Sequence, residues 1–424
     1  MAKRRRVVIA SAVIAALAVV LGLGAVLVRS MASPSVTGAD PHALIVGRDP
    51  DAIAVDPVAH RALVANYDDG TVSVLDTARP AVLRTTTVAA SPGGYGFVVA
   101  LSARTGHAFV IDGGYAVNML DLRTGQLLRV IPFQAAPEFM AVDERTGRLF
   151  VSETNNFTGR TVAVFDARTG AFLRRTVVGK GASALAVDER AGHVFVVNVD
   201  ANSVSMLDAR DGSPLRTIAV GTGRSILKRT RGGMIPTTVV VDARTSRAFV
   251  ANLGSVSVLD TRSGSVVATT PVGRISSDAA VDTRTDRVFI ANWREDTVSV
   301  LDARSGRLLA TVPVGYEPWA VAVASIAGHV YVANADDGTV SVLDARNGRV
   351  LRTEAVGIAL TALAVDERSG RVFVANRQSH RAYPAAMRQG LLWRLVYALP
   401  FPRPASWAGS AAIPGSVSVL DASR

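Results

Sequence analysis

Between Trp319 and Val356, apolar and β-branched residues fall into four short runs: Trp319–Val323, Tyr331–Ala333, Thr339–Leu343 and Val350–Val356. Polar stretches separate the last three, Asn334-Ala-Asp-Asp-Gly338 and Asp344-Ala-Arg-Asn-Gly348. Short β-rich runs bounded by Asn, Asp and Gly predict consecutive antiparallel strands joined by tight turns. The unit recurs along the chain. The aspartate that closes each Val-Ser-Val-Leu-Asp-like run falls at 76, 121, 166, 208, 260, 302, 344 and 421. A period of about 42 residues with four strands per unit predicts a β-propeller. A single four-stranded unit has two apolar faces, which only neighbouring units in a ring can cover.

The pattern predicts an all-β fold of eight four-stranded antiparallel blades, with seven as the alternative count. Second strands are expected at Leu63, Phe109, Phe150, Phe195, Phe249, Phe289, Tyr331 and Phe373, whose large side chains suit blade-to-blade packing. The last unit has three strands, ending at Asp421, while His42–Gly47 resembles the end of a repeat such as Thr311–Gly315. The two fragments are expected to complete one blade, closing the ring and removing its sheet edges. Two insertions break the period, at 222–234 and 377–415. In an antiparallel meander both loop types lie at one end of the disc, and the closing strand enters from the other.

Composition adds an anchor. Lys3-Arg-Arg-Arg6 precedes an uncharged stretch, Val7–Val28, and about 20 apolar residues span a bilayer. The expected organisation is a basic cytoplasmic tail at 1–6, one transmembrane signal-anchor helix at 7–28, a linker at 29–41 and the propeller at 42–424. The basic residues place the propeller on the extracytoplasmic side of a cell membrane; secretion after cleavage is the alternative. Net charge is +11, and there is no Cys. That removes disulfides, thiol catalysis and Cys-bound metals.

Tyr331-Val-Ala-Asn334, Phe249-Val-Ala-Asn252, Phe289-Ile-Ala-Asn292 and Phe373-Val-Ala-Asn376 resemble the YVTN repeat family of β-propellers over roughly residues 42–424. The resemblance implies the fold and little about function. Enzymes of that superfamily, such as lactonase-like proteins, hold a metal among acids at the channel mouth, which Asp51, Glu138 or Asp278 would have to imitate.

Most polar repeat residues read as structure. The Asp residues closing first and third strands begin turns, where a carboxylate accepts turn amides. His107, His193 and His329 occupy positions that hold Arg in other blades, and read as turn-exit surface residues. Asn66–Gly70, Asn198–Asn202 and Asn334–Gly338 lack the oxygen ladder of calcium loops. Ser225-Ile-Leu-Lys228 and Gly221-Thr-Gly223 lack the setting their catalytic and nucleotide-binding counterparts need. No metal set, cofactor motif or catalytic residue emerges.

What varies is the start of each innermost strand: Asp51, Phe97, Glu138, Ser183, Thr237, Ser277, Trp319 and Thr361, with Asp278 and Glu317 beside them. Variation at one geometric position within a constant frame suits a ligand site on a scaffold. The insertion 377–415 interleaves Arg with Trp393, Trp407 and other aromatics. The expected function is a non-enzymatic ligand- or protein-binding module. Its candidate ligand-binding residues are Asp51, Glu138, Asp278, Glu317, Trp319, Lys228, Trp393 and Trp407, on the insertion-bearing face. A metal-dependent lactonase-like hydrolase is the first alternative and nucleic-acid binding the second, the basic, aromatic-rich insertion being its only support.

Overall fold

The computed structural model describes residues 43–88, 97–154, 160–221, 238–377 and 414–422. These form eight four-stranded antiparallel sheets, the expected blades. The first strand of each blade is innermost: Pro50–Asp56, Val98–Ser102, Ala136–Asp143, Ala182–Asp188, Val239–Asp242, Ser276–Asp282, Pro318–Ala324 and Leu360–Asp366, for blades 1 to 8. Each lies against the first strand of the next blade, and the eighth lies against the first, so the ring is closed. Blade 8 is composite. Leu360–Asp366, Arg371–Asn376 and Ser416–Asp421 are joined by Leu44–Ile45, which pairs antiparallel with the last of them (Leu44 with Val417, Ile45 with Ser416). The count is therefore eight, and the closing strand is where the repeat pattern placed it.

The core is divided into eight apolar clusters, one at each blade junction. At the junction of blades 6 and 7, for example, Phe289, Val298 and Val300 pack against Val321, Val332 and Leu343. The large side chain of each second strand, Leu63 in blade 1 and an aromatic ring in the other seven, is fully buried there. This is why a lone blade is not viable: each apolar face finds its cover on a neighbour.

Polar repeat residues supply the joints. At one end of the disc, Asp302 Oδ1 accepts the amides of Arg304 and Ser305, and Asp143 Oδ1 those of Arg145 and Thr146. The second-strand Arg and His positions do more than the surface role expected of them. Arg287 Nε donates to the Arg346 carbonyl of the next blade at 3.2 Å, and Arg148 Nε to the Arg210 carbonyl at 3.1 Å. His107, His193 and His329 donate through Nδ1 to the Ala167, Thr261 and Ala422 carbonyls at 3.1, 2.7 and 3.0 Å. Arg371 Nη1 reaches Thr77 and Ala78, both at 2.8 Å, across the ring closure. Arg and His alternate here because either can reach a backbone acceptor on the neighbouring blade.

At the opposite end, the Asn of each Val-Ala-Asn motif is a clamp. Asn334 Nδ2 donates to Thr339 Oγ1 at 3.0 Å and Ser341 Oγ at 2.9 Å. Asn66 and Asn292 repeat the pair, and Asn376 repeats it with Ser416 and Ser418 across the long insertion. In blades 1, 4, 6, 7 and 8 the connector glycine packs on this amide; a Cβ at Gly315 would lie 2.6 Å from Asn334 Nδ2.

The chain leaves and rejoins the propeller around both insertions at this clamp end, at Gly221 and Thr238 and at Arg377 and Pro414. Because Leu44–Ile45 runs antiparallel to Ser416–Asp421, the N-terminal approach comes from the other end. Among the described residues no helix is long and apolar enough to cross a membrane. Val7–Val28, Thr237, Lys228, Trp393, Trp407 and the insertion interiors lie outside the described residues.

Candidate functional site

The varying position at the channel mouth has a local cause. Asp51, Glu138, Ser277, Trp319 and Thr361 each sit where the pairing of first and second strands slips by one residue. A β-bulge leaves its extra residue unpaired and re-aims the side chain, here toward the next blade. Thr361 Oγ1 donates to the Pro50 carbonyl and Ser277 Oγ to the Pro318 carbonyl, both at 2.6 Å. Asp51 Oδ2 accepts from Phe97 N at 3.2 Å. Much of the variation expected to serve a ligand therefore serves the blade joints.

The predicted site residues separate accordingly. Asp51 belongs to the ring seam: Arg377 Nη2 lies 3.2 Å from its Oδ1, and the same guanidinium pairs with Asp49. Burial raises the Asp51 carboxyl above its usual range, against the pull of Arg377 and the Phe97 amide. Glu138 is buried within blade 3. Asp278 stands on blade 6, its carboxylate accepting from Val321 N at 2.9 Å and Ala279 N at 2.8 Å. Desolvation pushes it up to about 6 despite those two amides. Asp51, Glu138 and Asp278 thus lie on blades 1, 3 and 6. Among the described residues no group of three or more His, Asp or Glu side chains is placed to share a metal ion.

Glu317 and Trp319 do come together, at the joint of blades 6 and 7. Trp319 meets Trp293 edge to face, with ring centroids 6.4 Å apart and planes at 83°. Arg294 lays its guanidinium over the Trp293 ring, 5.2 Å from the centroid. Glu317 adopts φ 52°, in the left-handed region, and donates its amide to Asp296 Oδ1 at 3.0 Å. Burial raises the Glu317 carboxyl, helped by Asp336 and Asp296 and opposed by the Trp293 indole and Arg294. Beside it Tyr316 is 55% exposed, its amide donating to Asp337 Oδ2 at 3.0 Å. The result is a half-buried aromatic wall with four carboxylates around it. Cations favour aromatic faces and carboxylates alike, and Arg294 already occupies one such face.

Sequence reasoning missed Trp293, Arg294, Asp296 and Asp336. A signal existed: Trp293 follows Phe289-Ile-Ala-Asn292, where other blades carry Tyr67, Val199, Ala335 or Arg377. The exit of the second strand is as variable as the start of the first, and faces the same mouth. The other end of the disc holds a cavity of about 310 Å³ between blades 7 and 8, lined chiefly by Ala324, Ile326, Val365 and Gly370, with Glu367 at its edge. Its lining is mostly apolar and brings no set of reactive groups together.

A family model described as outer membrane protein assembly factor BamB, of PQQ_2 repeats, matches residues 113–354 and, in a second register, 252–392. The chain belongs to this family. Among solved structures, the BamB-type propeller is similar to BamB from Moraxella catarrhalis, at 19% identity and TM-score 0.55, over 78% of this chain and 95% of that one. It is also similar to the computationally designed protein Ika8, at 18% identity and TM-score 0.61 over 78% and 95%. The dihydro-heme d1 dehydrogenase NirN follows at 13% identity and TM-score 0.60 over 78% and 72%. An assembly factor, a designed protein and a dehydrogenase share this likeness, so it shows the fold alone. No curated protein matches the sequence.

Proposed function

We propose that this BamB-type propeller is a non-enzymatic protein-interaction module, held by Val7–Val28 at the extracytoplasmic face of a membrane. Its repeats read as the YVTN variety, on the Phe/Tyr-Val-Ala-Asn runs whose Asn residues form the clamps. The partner docks at the clamp end, over the mouth of blades 6 and 7. One observation carries this reading: Trp293, Trp319 and exposed Tyr316 stand beside Glu317, Asp296 and Asp336. Rigid aromatics at a polar rim are what interface hot spots are made of. The carboxylates favour a partner that presents Lys or Arg.

The test is site-specific photo-crosslinking of the full chain in its native membrane. A photoreactive residue at Tyr316 should trap one discrete protein, and Trp319→Ala should abolish the adduct. The same probe at Val58, on the opposite end, should trap none. Equal crosslinking from both ends refutes the assignment. Extraction by alkaline carbonate, which leaves integral proteins in the membrane, checks the anchor separately.

The alternatives find less support. A lactonase-like site requires acids to converge, and Asp51 is committed to Arg377 while Glu138 and Asp278 stand on other blades. A nucleic-acid reading meets carboxylates at this mouth, which would repel phosphates.

A further inference from the structure

We infer that the end of the disc opposite the Trp293–Trp319 mouth, where the Asp-capped turns lie, is a docking surface for an anionic lipid bilayer. The first-to-second strand turns make its inner ring. Two residues past the close of the first strand stand Arg104, Arg145, Arg190, Arg244, Arg284 and Arg368, in blades 2 to 6 and 8, all exposed. The third-to-fourth strand turns make an outer ring. Each of blades 1 to 7 carries an exposed arginine there, Arg168 and Arg346 among them.

Most carboxylates of this end are used inward. Asp76, Asp166 and Asp260 pair with the second-strand arginines Arg61, Arg148 and Arg247 at 3.4, 3.1 and 2.7 Å. Glu144, Glu189 and Glu367 each accept a backbone amide from the preceding blade's turn, those of Arg104, Glu144 and Ser325. Asp286 is shared by Arg244 and Arg304, and exposed Asp211 lies 3.5 Å from Arg174. The two ends of the disc therefore differ in sign: arginines are the exposed charges here, while Glu317, Asp296 and Asp336 stand at the other mouth.

Two blades break the inner ring, and they are the two that flank blade 8. At the arginine position blade 1 has Val58 and blade 7 has Ile326, 69% and 71% exposed. Arginines around a few aliphatic tips suit a charged headgroup layer with hydrocarbon beneath it. A phosphate backbone alone would leave the two tips without an apolar partner, which disfavours nucleic acid. The place of the tips agrees. The chain before Leu44 reaches the propeller at this end, on the blade between them; this last point alone rests on Val7–Val28 being an anchor.

The chain has no Cys, so a single introduced cysteine carries a fluorophore cleanly. The full chain is reconstituted in vesicles of mixed phosphatidylglycerol and phosphatidylcholine that contain a spin-labelled quencher lipid. Probes at Ile326→Cys and Val58→Cys should be quenched, and a probe at Tyr316→Cys should not. Vesicles of phosphatidylcholine alone should leave all three bright, and added salt should restore emission in the mixed vesicles. Arg79→Glu combined with Arg346→Glu should cut the quenching at Ile326 at least about fivefold. Equal quenching in phosphatidylcholine alone would overturn the proposal, because the tether then suffices. Equal quenching at Tyr316 would overturn it, because neither face is then preferred, and unquenched probes at Ile326 and Val58 would do so directly. Short duplex DNA that shields both probes from iodide as well as the mixed vesicles do would overturn it in favour of nucleic acid. Alkaline carbonate reads the anchor separately: if it releases the chain, the same probes on the released chain, mixed with preformed vesicles, still decide the face.

Discussion

The pairing of Gly315 with Asn334 makes the sharpest test of how the repeat holds together. A Cβ at Gly315 would stand 2.6 Å from Asn334 Nδ2 and 2.7 Å from Asn334 Cγ, with Asp337 Oδ2 at 2.5 Å. Asp337 is a side-chain end that can swing away. Asn334 is fully buried and held by two hydrogen bonds, so it cannot. Gly315→Ala is an overpacking change and should cost about 2 kcal/mol. Asn334→Ala removes two neutral hydrogen bonds at roughly 1 kcal/mol each, so about 2 kcal/mol in total. If the two residues were independent, the double variant would lose about 4 kcal/mol. Removing the amide also removes the obstacle, so the double variant should lose only about 2 kcal/mol, close to Asn334→Ala alone. Equilibrium urea unfolding of the four proteins, followed by tryptophan emission, measures the coupling. An additive double variant would refute the claim that the recurring Gly and Asn are one packed unit.

Further outcomes follow from the same geometry. Burial raises the Asp278 carboxyl to about 6, above its unfolded value, so the folded state binds the proton more tightly. Stability should then rise as pH falls from about 7 to 4, and Asp278→Asn should flatten that slope by roughly 1–3 kcal/mol in paired thermal melts. A variant that keeps the wild-type slope would assign it to another group. Arg371→Ala removes two carbonyl contacts across the closure of blades 8 and 1. It should lower stability by about 1–2 kcal/mol in urea unfolding, with faster hydrogen exchange confined to those two blades. Trp319→Ala should leave the urea midpoint within about 1 kcal/mol of wild type, since Trp319 is only half-buried, yet abolish the Tyr316 crosslink.

The architecture was legible because it is written eight times. Turn-forming Asp and Gly, the large buried side chain of each second strand and the Leu44–Ile45 closure all follow from strand length and period. The binding face was less legible, for a physical reason. A bulge at the start of each innermost strand turns one side chain toward the neighbouring blade, and one-dimensional counting cannot distinguish that direction from one facing the channel. Asp51 therefore read as a ligand residue, and Ser277 and Thr361 as variable positions suited to a ligand site, while their hydrogen bonds go to Phe97, Pro318 and Pro50. Trp293 and Asp296 were overlooked for the complementary reason. They belong to a second-to-third strand turn, a place assumed to be occupied by turn chemistry alone.

A ring of near-identical units limits where specificity can reside. Many residues that hold the ring together recur around it: Asn334 has Asn66, Asn292 and Asn376, and Arg287 has Arg148 and Arg371, while the bulge position joins blades with a different side chain in each, Asp51, Ser277 or Thr361. A residue selected for a partner is under no demand to recur. An edge-to-face aromatic pair stands at two junctions, Trp293–Trp319 between blades 6 and 7 and Tyr67–Phe97 between blades 1 and 2, so what singles out blades 6 and 7 is the setting of Glu317, Asp296 and Asp336 around the pair. Transplanting Trp293 and Trp319 to Val199 and Thr237, their repeat counterparts in blades 4 and 5, separates the two explanations. If the pair is a packing device, either joint should accept it with equal stability. If it is a docking surface, the transplant should carry partner crosslinking with it only when Glu317 is also placed at the new joint. Crosslinking that stays at Tyr316 after the original tryptophans are removed would show that the wall does not recognise the partner.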